Sequence, residues 1–98
     1  EQQEKMRDVR EKIEMQVAQA VAKVRESNKR LTMAEGNLER AEENLRYANL
    51  GFQEGVITVS QVLEAQTAWM SARSTRLDAK IDVQLADLNL RRVLGTEL

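Results

Sequence analysis

The sequence predicts an all-α chain, a long antiparallel two-helix coiled-coil hairpin with its turn at Gly55. Three observations carry this. Apolar and small residues recur in alternating steps of three and four along two stretches, the stripe a helix buries against another helix. The 98 residues contain no Pro and only four Gly, two of them close together at Gly51 and Gly55, so turn chemistry is concentrated in one place. Charged residues make up 32% and hydrophobic residues 42%, with 3% aromatic, the mixture of long helices and coiled coils rather than of a domain with several loops.

Helix one is expected over about 4–53. Its seam runs from Met6 through Val9, Ile13, Gln16, Ala20, Val24, Ser27 and Leu31 to Ala34, Leu38, Ala41, Leu45, Ala48 and Phe52. Only Gln16 and Ser27 are polar. Gly36 lies inside the unbroken pattern, so it costs about 1 kcal/mol relative to Ala without ending the helix. Glu35, Glu39, Glu42 and Glu43 read as a solvated face. Glu26 with Arg30 and Glu42 with Arg46 stand at the i,i+4 spacing of helix ion pairs.

The turn carries three signals. Gly55 suits the left-handed position just past a helix end, with Val56 folding back toward Leu50 as its apolar companion. Thr58 and Gln61 have the spacing of a capping box, and Ile57 and Val62 that of a hydrophobic staple. Gly51 is a rival stop. Helix two is expected over about 59–94, ended by Gly95, with a seam through Val62, Ala65, Trp69, Ala72, Arg76, Ala79, Val83, Ala86, Leu90 and Val93. Arg76 is the one break, read as a cation whose stem covers an alanine; Trp69 is read as packing. At 1.5 Å rise per residue the helices would be about 70 and 50 Å long.

Residue sizes set the register. With the apex at Gly55, Leu45 meets Ala65, Ala41 meets Trp69, Leu38 meets Ala72, Leu31 meets Ala79, Ser27 meets Val83 and Val24 meets Ala86. Each pair sets small against large, which lets the helices approach closely and fill the space between them. A whole-heptad slip keeps that complementarity, so the turn must choose. A second stripe on helix two, Leu63, Met70, Leu77, Ile81 and Leu88, lies off the seam. It is expected to meet a neighbour outside the hairpin, so that the chain self-associates.

The composition excludes several functions. Fifteen basic and sixteen acidic residues are interspersed, for a net charge of −1, so no basic face awaits nucleic acid. With no His and no Cys there is no ordinary nucleophile–base pair and no transition-metal ligand set. We expect no enzyme and no cofactor. No apolar run approaches the roughly 20 residues of a membrane-spanning helix. The chain opens at Glu1 in mid-pattern, so 1–98 is expected to be a single hairpin excised from a larger channel protein.

The stretch Phe52-Gln53-Glu54-Gly55-Val56-Ile57-Thr58-Val59-Ser60-Gln61-Val62-Leu63-Glu64-Ala65-Gln66 resembles the periplasmic helical repeat of TolC-type outer-membrane efflux proteins. That pattern has an aromatic, a Gly, short apolar residues, Ser or Thr, then Asp-Val-Leu-x-Ala-Gln. Leu90-Arg91-Arg92-Val93-Leu94-Gly95-Thr96 is similar to its terminal Leu…Ala-Leu-Gly, and Glu14-Met15-Gln16-Val17-Ala18-Gln19-Ala20 to its Glu-Val-x-x-Ala stretch. The ending looks more like the second of the family's two repeats.

The resemblance implies a segment of a homotrimer whose helices form a tunnel across the periplasm below an outer-membrane β-barrel. It implies docking of a periplasmic adaptor (membrane-fusion) protein at the tip, by Phe52, Gly55, Val56, Ile57 and Thr58, and through the adaptor an inner-membrane transporter. The family's Val-Gly-Leu tip reads Glu54-Gly55-Val56 here. The positions of its two pore-entrance acids read Gln61 and Glu64, so only Glu64 carries a carboxylate. Two alternatives stand beside it. A free-standing secreted hairpin of the WXG type would need Trp-x-Gly in the turn, where this chain has none. An adaptor's own hairpin fits the Gly55 and Gly95 pattern less well.

Overall fold

The seams and the turn chemistry produce two helices, α1 (Gln2–Gln53) and α2 (Val59–Glu97), in a computed structural model that describes residues 2–97. They lie antiparallel in a rod of 79 × 16 × 15 Å. Its length matches that of α1 alone, about 78 Å at 1.5 Å per residue.

The turn is built as its residues dictate. Gly55 takes φ +73°, and no other described residue has positive φ. The Val56 amide donates to the Gly51 carbonyl at 2.8 Å and the Gly55 amide to the Phe52 carbonyl at 3.0 Å. These two bonds define a Schellman ending and satisfy carbonyls that the helix leaves over. Thr58 and Gln61 close the capping box: the Gln61 amide donates to Thr58 Oγ1 at 3.3 Å and the Thr58 amide to Gln61 Oε1 at 3.0 Å.

Packing follows the size pattern in an instructive way. The fully buried residues are the small ones, Ala20, Ala34, Ala65, Ala79, Ala86 and Ser27. The larger partners Val24, Leu31, Leu38, Leu45, Trp69, Val83 and Leu90 are only partly buried. Between two cylinders only the midline is sealed, and only small side chains fit there. Large ones lean across the seam and keep a flank in water. Ser27 shares a surface groove with Asp82 and Ala86, and Ala48 shares another with Gln61 and Ala65, as the register with its apex at Gly55 requires.

Several expectations are corrected. Helix two does not end at Gly95 but runs on to Glu97, because Gly95 keeps ordinary helical φ and nothing packs there to force a turn. Met6 and Val9 are exposed, since no residue of this chain stands opposite them. Val17 is partly buried where Gln16 was expected, and Gly51 where Phe52 was. Val17 stands one heptad before Val24 and so keeps the seven-residue repeat that a step through Gln16 breaks, while Gly51 is sheltered by the Ile57 side chain. Val56 does not fold onto Leu50; both are exposed, and Ile57 covers Gly51 instead. Glu26–Arg30 and Glu42–Arg46 form no ion pair. Arg91 pairs with Asp87 at 3.3 Å, while Arg46 lies 5.4 Å from the centre of the Tyr47 ring.

Candidate functional site

Around the apex, the side chains that close the turn and those that face outward are different, though the backbone of Phe52 and Val56 serves the closure. Closure uses the Gly51 carbonyl, Gly55, the Ile57 side chain and the Thr58–Gln61 pair. Outward face Leu50, Phe52, Val56 and Val59, all exposed, with Val56 at 77%. Gly55 is exposed and a Cβ built on it would meet nothing within 4 Å. Of the expected tip residues Phe52, Gly55, Val56 and Thr58 are therefore accessible, and Ile57 is partly buried over Gly51. Leu50 and Val59 were not singled out for the tip. Their signal in the sequence was being apolar, off both seams and within a turn of the apex.

Glu64 stands exposed on α2 beside Gln61. It borders two shallow grooves, one shared with Asn44, Tyr47 and Ala48 of α1, the other running along α2 by Ser60, Leu63, Thr67 and Ser71. Leu63, Met70, Leu77, Ile81 and Leu88 are all exposed on the outside of the hairpin. Val59 and Leu85 are exposed on α2 as well. Trp69 lies in the seam as expected, partly buried, with the Arg73 guanidinium 5.5 Å from its ring centre. Glu35, Glu39, Glu42 and Glu43 are exposed, and among the described residues no three acidic side chains gather as a metal site would require.

The sequence model of the outer membrane efflux protein family matches residues 1–96. The chain belongs to that family. No curated protein and no solved structure matches it. This efflux-protein segment is a two-helix rod 79 Å long. Among its described residues no helix is long and apolar enough to cross a membrane. Exposed apolar residues stand at the apex, along one side of α2 and, more scattered, on α1 at Met6, Val9, Met15 and Met33.

Proposed function

We propose that this hairpin is a periplasmic wall segment of a trimeric efflux channel, and that its tip docks the hairpin of a periplasmic adaptor protein that links it to an inner-membrane transporter. The observation that carries the reading is the division of labour at the apex. The turn closes through backbone bonds and through Gly51, Gly55, the Ile57 side chain and the Thr58–Gln61 pair, leaving the side chains of Phe52 and Val56 exposed with no part in the closure. Apolar residues spared from folding and presented on a protrusion suit a partner. The stripe Leu63, Met70, Leu77, Ile81 and Leu88 suits the neighbouring helix of the wall, and Glu64 is the acid placed toward the pore entrance. The isolated chain, lacking that neighbour, self-associates through the stripe.

The test uses the full-length protein with Gly55→Leu and Val56→Asp. Trimer assembly is read by crosslinking and export by substrate accumulation. Loss of export from trimers that still assemble supports docking at the tip. Unchanged export by both variants overturns it.

A further inference from the structure

The two seams carry one polar break each within the paired region, and the structure does not bring them together. Ser27 is 1% exposed, and its Oγ has no hydrogen-bond partner. A buried hydroxyl without a partner is uncommon and calls for a cause. Arg76 is partly buried on the facing seam, opposite Ala34, and no hydrogen bond or ion pair holds its guanidinium. The two residues miss each other by one heptad. Sliding α2 by that heptad, about 10 Å at 1.5 Å per residue, would bring Arg76 opposite Ser27.

The slide keeps the size pattern along the middle of the seam, though at the open end Ile13 would meet Leu90. Ala41 would meet Val62, Leu38 would meet Ala65 and Leu31 would meet Ala72, still small against large. The apex would move to Gly51, the second glycine of the turn, which can take a left-handed conformation there as Gly55 does now. A slide the other way also preserves sizes, but it sets Ser27 against Leu90 and puts the apex at Thr58 and Val59, where positive φ is strained. Only one direction supplies both a glycine apex and a partner for the orphaned hydroxyl.

We propose that the hairpin is a two-register device: a long register closed by the Gly55 turn and the Thr58–Gln61 box, and a short register closed at Gly51 and held by Arg76 donating to Ser27 Oγ. In the long register the turn is satisfied and the seam is not. In the short register the seam is satisfied, and the capping box is broken. The guanidinium suits the second role because it carries five donors on a long stem and reaches across a seam without needing burial of its charge.

The chain has no cysteine, so engineered pairs report register without background thiols. Three pairs share Leu38→Cys: with Ala72→Cys for the long register, with Ala65→Cys for the short one, and with Ala79→Cys for the opposite slide. Each wrong pair stands about 10 Å out of step, beyond the roughly 7 Å that a disulfide spans. Disulfide fractions are measured at equilibrium in a glutathione buffer. Gly55→Val, strained only in the long register, is expected to raise the 38–65 disulfide about tenfold relative to 38–72. Adding Arg76→Ala to that background is expected to reverse most of the rise, and Arg76→Lys to keep part of it.

Helicity by circular dichroism confirms that each variant folds. Should Gly55→Val lose its helix signal, Thr58→Ala with Gln61→Ala weakens the same turn without touching φ and is scored the same way. A 38–65 fraction no higher than the 38–79 fraction in both backgrounds overturns the proposal. So does a rise that Arg76→Ala leaves intact.

Discussion

Ile57 sits where a side chain on Gly51 would have to be. Its Cγ1 lies 3.3 Å from the place of a Gly51 Cβ, and its amide donates to the Gly51 carbonyl at 3.4 Å. The absence of a side chain at Gly51 thus lets the connecting segment lie down on the end of α1. Gly51→Ala gains about 1 kcal/mol of helix propensity but presses on Ile57, and the two effects should nearly cancel. Gly51→Leu should displace Ile57 and cost about 1–3 kcal/mol by urea denaturation. A Leu variant as stable as the parent would show that the contact does not hold the turn.

Gly36 and Gly55 should respond to alanine in opposite directions. A Cβ on Gly36 meets nothing closer than Arg40 Nη1 at 4.0 Å, in ordinary helix. Gly36→Ala should therefore stabilise by about 0.5–1 kcal/mol. Gly55 has equally open surroundings but stands at φ +73°, so Gly55→Ala should destabilise by about 1–2 kcal/mol through backbone strain alone. Thermal melts of the two variants check the sign of each.

Enlarging a small seam residue should hurt more than trimming a large one. Leu38 is partly buried, so Leu38→Ala should cost about 1–2 kcal/mol, below the range for fully buried leucines. Ala79 is buried on the midline facing Leu31. Ala79→Leu sets leucine on leucine and forces the helices apart over neighbouring turns, for about 3 kcal/mol or more. Equal effects in denaturant titrations would mean that the helices are spaced more loosely than described.

The outer stripe should govern association. Leu63, Met70 and Leu77 are exposed along one side of α2, and changing all three to Ser should lower the weight-average mass in sedimentation equilibrium toward the monomer. Met6, Met15 and Met33 of α1 are also exposed, and the same change there should leave the mass as it was. A parent chain that is monomeric at high concentration would remove the basis for this expectation.

The fold was legible where its causes are local. Heptad spacing sets which side of each helix is buried, and the Thr58–Gln61 and Gly55 chemistry acts within a few residues, so both came out of the sequence as they stand in the structure. Gly95 misled because glycine permits a left-handed ending without requiring one. Leu50 and Val56 misled because the companion contact of a Schellman turn needs a side chain three residues before the cap, and that position is Gly51. Gln16 misled because Val17, one heptad before Val24, keeps the repeat, and Phe52 because Ile57 comes to rest over Gly51 instead. For the tip, the composition was readable, but which apolar residues the turn consumes depended on where Ile57 comes to rest.

A rod sealed only along its midline behaves as a zipper with one closed end. Contacts near the apex join residues close in sequence, while those at the far end close loops of most of the chain, which cost more entropy to form. No second layer of packing ties distant turns together, so each turn of the seam rests on the one nearer Gly55. Folding should then start at the turn and travel outward. Amide exchange should slow from the open end past Ala34 and Ala79 toward the Gly55 turn, grading local stability along a single axis.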